Sequence, residues 1–334
     1  MKAVLWTAYG PPELLKVGEI EKPTPKADEI LVKVKAAAIS PGDCELRRFD
    51  MHVLFWLPLR IYLGIFKPKL RVLGMDLAGE VVELGANVKD FKKGDHVFGN
   101  TRLALGAHAE YALIKEAYPL SKKLDEVTFE AASTLPTAGS NALHYMRLAN
   151  IQPGEKVLIV GAAGNFGTYA VQLAKLWGAE VTGVDSAEKL ETLRSLGADH
   201  VIDYTAEDFT KDQNSYDVIF DVRGTVAVSQ IMKSLKPQGR YILATPWVGQ
   251  VLSGLWHEMM SKLRGTRKKF IFALANDTSE DLDYLKELMT EGKLKAIIDK
   301  AYPLEEVPEA HRYIESGKKI GQVVLSMNSN KGSI

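Results

Sequence analysis

The residues best placed to do chemistry lie between Lys156 and Asp185, in the run KVLIVGAAGNFGTYAVQLAKLWGAEVTGVD. A strand-length apolar run, a glycine turn, a helical stretch and a second apolar run ending on an acid follow one another there, and that context separates a dinucleotide site from a chance glycine pattern. Gly161, Ala162, Gly164, Asn165, Phe166 and Gly167 make the turn and the helix start. Glycines at such a turn let the backbone approach a pyrophosphate, while unpaired amides at the helix start face its negative charge. Ala162 stands where the usual GxGxxG pattern has its first glycine. The rival use of these glycines is close packing of the helix on its strand.

Three further residues bear on which dinucleotide would bind. Asp185 ends the second strand, where a carboxylate accepts hydrogen bonds from the adenosine ribose of NAD; it could equally cap the helix that begins near Ala187. Lys189 and Tyr204 point the other way, because a cation and a phenol near that ribose suit the additional phosphate of NADP. The choice between NAD(H) and NADP(H) stays open on these residues.

The elements that must position this chemistry change texture along the chain. Short β-rich runs come first: Lys2 to Trp6, Glu29 to Ala37, Leu77 to Leu84, His96 to Phe98 and His108 to Ile114, separated by glycine turns. That spacing suggests a small β-barrel or sandwich-like domain over residues 1–120. From Phe129 onward, apolar runs alternate with helical stretches, the mark of a doubly wound α/β fold with a parallel sheet, over residues 121–300. Its strands are expected at Lys156 to Val160, Glu180 to Val184, His200 to Ile202, Val218 to Asp221 and Tyr241 to Ala244. Beyond Ala301 a helix around Glu309 to Ser316 and a strand at Gln322 to Leu325 are expected, and 301–334 would complete the first domain. The last eight residues, MNSNKGSI, read as a disordered tail.

Bulk properties bound the partners. The chain of 334 residues carries 42 basic and 42 acidic side chains, so it has no global field to hold a nucleic acid. Cys44 is the single cysteine and cannot form an internal disulfide. With no amino-terminal signal sequence, this points to the cytoplasm.

Two apolar stretches stand apart. Val53 to Phe66 contains Pro58 and Arg60 and falls short of the roughly 20 residues a membrane-spanning helix needs, so it is expected to be buried or to line a mouth. Within it Tyr62 offers a phenol for proton delivery, against the alternative of packing among Trp56, Ile61 and Phe66. Trp247 to Phe270 begins apolar and ends basic, the pattern of a helix packed by one face with a solvated end. Together the stretches suggest an apolar mouth with a basic rim, fit for a lipophilic substrate or transient contact with an anionic membrane surface.

Several further strings complete the picture: Pro41-Gly42-Asp43, Leu73 to Val81 (LGMDLAGEV), Lys93 to Gly99 (KGDHVFG), Leu135 to Gly139 (LPTAG) and Leu196 to Tyr204 (LGADHVIDY). With the glycine turn, the chain resembles end to end the medium-chain dehydrogenase/reductase superfamily, in its zinc-free quinone oxidoreductase and enoyl reductase branch. The resemblance implies a GroES-like β-barrel domain joined to a Rossmann domain, NAD(P)H in the cleft between them, and a homodimer. It gives Thr137 a contact to the nicotinamide, and the spacing of Lys189 and Tyr204 matches a pair that shares the adenosine end in NADPH-using members.

Zinc-dependent relatives hold their metal with a cysteine, a His-Glu pair and a later cysteine, since soft sulfur and imidazole fill a tetrahedral site. By alignment Ser40 replaces the first cysteine and Met75-Asp76 the His-Glu pair, and residues 87–120 lack the four cysteines of the structural zinc lobe. No metal is therefore expected, and Cys44, His96 and His108 read as packing or surface residues. Without a metal to polarise an alkoxide, hydride transfer to a quinone or an α,β-unsaturated carbonyl is the natural reaction. The rivals are an alcohol dehydrogenase and a cofactor-binding protein without turnover. Glu45 occupies the position of a family tyrosine that binds substrate or donates the proton, which leaves the donor unassigned.

Overall fold

The computed structural model describes residues 1–50 and 53–327. Most of the expected tail, residues 328–334, lies outside the described residues. The chain divides into two compact units: Met1–Thr137 with the segment from Asp277 onward, and Ala138–Asn276. The changes of texture along the sequence fall near residues 120 and 300. Thr137 bonds into the first unit through Asp76. Helix Ser279–Thr290 does so through Ser279 Oγ, which accepts from the Leu120 amide, and Asp283, which accepts from Ser121.

The first unit opens with strands β1 (Lys2–Trp6), β2 (Leu15–Glu19), β3 (Glu29–Ile39), β4 (Asp76–Leu84), β5 (His96–Asn100), β6 (Tyr111–Lys115) and β7 (Leu120–Lys122). The second unit contributes β8 (Lys156–Val160), β9 (Glu180–Asp185), β10 (His200–Asp203), β11 (Tyr216–Asp221), β12 (Leu235–Leu243) and β13 (Lys269–Ile271). The chain then returns to the first unit with β14 (Ile298–Pro303) and β15 (Gln322–Ser326).

In the first unit β3 is central and almost wholly buried, which suits its apolar sequence EILVKVKAAAI. It pairs antiparallel with β4, β6 and β15, inside a sheet ordered β14-β15-β3-β4-β5-β7. The pairing of Val323 with Ile39 stitches the carboxy-terminal segment into this sheet. The ladders do not close into a continuous barrel among the described residues. Trp6, Ile30, Leu77, Val97, Leu304 and Val323 share one core.

The second unit is a parallel sheet ordered β10-β9-β8-β11-β12-β13. Counted from its own first strand this is 3-2-1-4-5-6, the doubly wound order whose direction reverses between β8 and β11. Ligands bind such sheets outside the carboxyl ends of the strands at that reversal.

Two expectations need correction. The Val53–Phe66 stretch is helical over Val53–Leu63, yet Trp56, Leu57, Ile61, Tyr62, Ile65 and Phe66 are all exposed rather than buried. The helix is anchored by Leu63 and by Arg60, whose guanidinium lies 3.8 Å from the centre of the Tyr9 ring. In the Trp247–Phe270 stretch the helix ends at Leu263, short of most of the basic residues; Lys262, Arg264, Arg267 and Lys269 are exposed, as expected of a solvated basic end, and Lys269–Ile271 forms edge strand β13 with Phe270 buried. That helix seats Gly254 against the Phe270 ring, so its small-residue face is packed while Leu252, Leu255, Trp256 and Leu263 face outward.

Candidate functional site

In the second unit the glycine turn follows β8 directly. Gly164 is the N-cap of helix Asn165–Leu176, so the amides of Asn165, Phe166 and Gly167 form its first turn. Gly167 is obligatory there: a Cβ would sit 2.3 Å from the Gly161 carbonyl oxygen and 2.5 Å from that of Ala162. The close packing of helix on strand expected of these glycines is thus present, and it brings the helix start to the strand end.

A cavity of about 550 Å³ opens at the strand reversal, lined among others by Gly161, Asp185, Tyr204, Thr205, Lys211, Arg223 and Thr225. Asp185 is buried and committed. Its carboxylate accepts from the Ala163 amide at 3.0 Å and the Ser186 amide at 3.0 Å, and it pairs with Lys189 at 3.4 Å. Lys189 is itself buried beside Asp185. Tyr204 is half exposed at the cavity rim.

Arg223 adds a residue to those expected from the sequence. The loop after β11 is bent by Asp221, whose carboxylate accepts from the Arg223 amide at 2.9 Å and the Gly224 amide at 2.8 Å, while the Tyr241 hydroxyl donates to its other oxygen. Burial raises the Asp221 carboxyl above the usual carboxylate range, against these hydrogen bonds. The bend lays the Arg223 side chain beside Gly161 and sets its guanidinium 6.0 Å from the centre of the Tyr204 ring. The sequence signal was available: an acid ending the fourth parallel strand, followed two residues later by arginine.

In the first unit the expected nicotinamide contact, Thr137, belongs to a buried network. Its hydroxyl donates to Asp76 at 2.8 Å and its amide to the second Asp76 oxygen at 3.2 Å. The Asn100 side-chain amide bonds both Asp76 and Thr137, at 2.7 and 2.9 Å. Burial holds the Asp76 carboxyl well above the usual range; the Thr137 and Asn100 hydrogen bonds oppose this, and nearby Asp43 and Asp277 add to it. Asp76 and Asn100 were not singled out in sequence as partners of Thr137.

The positions that carry zinc ligands in metal-dependent relatives are otherwise engaged. Ser40 caps helix Pro41–Arg48 in a reciprocal box with Asp43. Asp76 is consumed by the network above. Among the described residues no group of three or more His, Cys, Asp or Glu could hold a metal ion. A tetrahedral thiolate and imidazole site does not fit these residues. The Cys44 thiol instead meets His311 Nδ1 at 3.2 Å, with the His108 ring 6.4 Å from that of His311, all three side chains buried. Burial pushes the thiol far up, and both imidazoles are held below the ordinary histidine range, chiefly by burial. His96 packs edge-on against Phe129.

Tyr62 stands on the exposed helix, its hydroxyl donating to the Leu103 carbonyl at 3.3 Å. Glu45, at the family tyrosine position, is an exposed residue of helix Pro41–Arg48.

A glycine cradle and a cavity at the reversal of a 3-2-1-4-5-6 sheet are how dinucleotide-dependent oxidoreductases hold their cofactor, and this is the class that fold and cavity define. Residues 26–124 match the family model of the alcohol dehydrogenase GroES-like domain, and residues 196–325 that of zinc-binding dehydrogenases. The chain is 33% identical to an NADPH-dependent alkenal/one oxidoreductase of Arabidopsis thaliana, covering 97% of this chain and 79% of that one. It is 32% identical to an NAD-dependent alcohol dehydrogenase of Sulfolobus acidocaldarius, over 98% of this chain and all of the other. The quinone oxidoreductase structure from Coxiella burnetii superimposes with a TM-score of 0.85 at 29% identity, over 98% of this chain and 99% of that one. The chain belongs to the medium-chain dehydrogenase/reductase superfamily, in its quinone oxidoreductase-like branch.

Proposed function

We propose that this protein is a zinc-independent, NADPH-preferring reductase that passes a hydride to a quinone or an α,β-unsaturated carbonyl. When bound, the nicotinamide supplies the hydride. The chain's own residues bind: in the second unit, the first-turn amides at Asn165 to Gly167 suit the pyrophosphate. The observation that carries the chemistry is the donor set. Ser40, Met75 and Asp76 offer no thiolate or imidazole to hold a metal that would polarise an alkoxide, so an electron-poor conjugated acceptor suits the site better than a simple alcohol.

The cofactor preference rests on Asp185 and Arg223. A carboxylate that already accepts two amide bonds and pairs with Lys189 is a poor acceptor for ribose hydroxyls. Arg223 and Tyr204 in the cavity suit an added phosphate. We extend the proposal to a homodimer located in the cytoplasm.

The deciding experiment measures NADPH and NADH binding and their oxidation across a panel of quinones, enones and alcohols, with metal analysis of the same preparation. Arg223→Ala is expected to weaken NADPH more than NADH, and Lys189→Ala to weaken both alike. Stoichiometric zinc with alcohol oxidation would establish the alcohol dehydrogenase reading instead. Tyr62→Phe assigns the proton: a fall of about 10²-fold in kcat at unchanged KM places it on the Tyr62 hydroxyl, and an unchanged kcat places it on water.

A further inference from the structure

Between Trp56 and Met75 the chain carries Arg60, Lys67, Lys69 and Arg71 and not one Asp or Glu. The same stretch exposes Trp56, Leu57, Ile61, Tyr62, Ile65 and Phe66, with Phe66 93% exposed at the tip of the turn that follows the helix. Exposed apolar groups in this number on one short element mark a contact surface.

The patch is held rigid from beneath. Arg60 lies over the rings of Tyr9, Phe49 and Trp56, and its Nε donates to the Ile65 carbonyl at 2.8 Å. The Tyr9 hydroxyl donates to the Gly64 carbonyl at 2.8 Å, and the Lys69 ammonium to the Ile61 carbonyl at 3.0 Å. Gly64 has φ +124°, and a Cβ there would lie 2.0 Å from the Lys67 carbonyl oxygen, so the turn presenting Ile65 and Phe66 requires glycine. Leu63, fully buried, pins the helix end. Lys67, Lys69 and Arg71 are exposed beside the tip.

We propose that this face docks on the surface of an anionic lipid bilayer, with Leu57, Ile61, Ile65 and Phe66 entering the acyl boundary and Lys67, Lys69 and Arg71 meeting the headgroups. Charge complementarity selects that occupant: a stretch that carries cations and no acid beside an apolar wedge is attracted to anionic headgroups. Trp56 and Tyr62 are of the aromatic types that favour the interfacial level. An eleven-residue helix is too short to cross a bilayer, and no helix among the described residues is long and apolar enough to do so, which leaves surface attachment. This inference shares only Tyr62 with the reaction proposed above, and its test leaves that residue unchanged.

The test is flotation of the full chain with large unilamellar vesicles of phosphatidylglycerol and phosphatidylcholine, against phosphatidylcholine alone. Binding is expected on the anionic vesicles at low salt, with marked weakening at physiological salt. Phe66→Glu should reduce it about ten-fold or more, since the wedge is lost. Lys67→Gln and Arg71→Gln should each reduce it roughly five-fold without touching the apolar face. Circular dichroism and thermal melts establish that each variant is folded. No flotation of the wild type at low salt overturns the proposal. So does binding that survives Phe66→Glu but is abolished by Leu252→Glu in helix Val248–Leu263. Light scattering in lipid-free buffer tests the other occupant: if Phe66→Glu breaks an oligomer and the wild type ignores vesicles, the face is a contact between copies of this chain.

Discussion

Replacing Gly167 by alanine perturbs the nucleotide cradle at a single atom. The added Cβ would lie 2.3 Å from the Gly161 oxygen, and 2.5 and 2.6 Å from the Ala162 oxygen and carbonyl carbon. All three belong to the main chain of the turn, so no side-chain rotation relieves the contact. The helix start must retreat from the turn by roughly 1 Å to restore van der Waals separation. Overpacking of this kind costs about 1–3 kcal/mol, which lowers Tm by about 3–10 °C. Withdrawing the helix terminus also forfeits its attraction for the pyrophosphate, a loss of about 2- to 30-fold in NADPH affinity. Isothermal titration at a temperature where the variant is folded reads the affinity, and calorimetric melting reads the stability. Gly164→Ala is the matched control: its Cβ would meet only the Gly161 oxygen at 3.2 Å, and φ −80°, ψ −175° is open to alanine. Its cost should stay under about 1 kcal/mol. Wild-type Tm and affinity in Gly167→Ala, or equal losses in the two variants, would refute the reasoning.

Three further outcomes are expected. Asp277, with an oxygen lacking a hydrogen-bond partner among the described residues, has its carboxyl pushed up to about 6 by burial despite Arg102, with Asp281 adding to the shift. The folded chain therefore keeps a proton that the unfolded chain releases near pH 4. Stability falls as pH rises from about 4 to 6, by at most about 1.4 kcal/mol per unit, and Asp277→Asn should flatten urea midpoints across that window. Cys44 should resist iodoacetamide in the native protein and react on denaturation, because its thiol is buried and its thiolate disfavoured; mass spectrometry of native protein showing stoichiometric labelling would contradict this. Glu315→Ala should destabilise by about 2–4 kcal/mol in denaturant titrations, since it strands Arg47, only 1% exposed, without its carboxylate. A cost below about 1 kcal/mol would mean that Arg47 finds another partner.

Much of the second unit was legible in the chain because its information is local. A strand, a glycine turn, a helix and a strand within one short run define the cradle, and the backbone sterics that demand glycine at 167 act between residues six apart. Strands missed in sequence, Leu15–Glu19, Leu120–Lys122, Lys269–Ile271 and Ile298–Pro303, are short or charged and take their conformation from the neighbours they pair with. The exposed face of Val53–Phe66 ran against hydrophobicity because Arg60, not an apolar residue, turns inward onto aromatic rings.

By itself the sequence determined the dinucleotide cradle, the alternation that builds a parallel sheet, and the lack of thiolate and imidazole donors at Ser40 and Met75-Asp76, since each is a matter of residue type at short spacing. Tertiary structure alone decided that Arg223 lies beside Gly161, that Lys189 turns inward to Asp185, and that Cys44 meets a histidine 267 residues away. Those contacts depend on which strands become neighbours and which side chains burial draws together, and that is settled by packing across the whole unit.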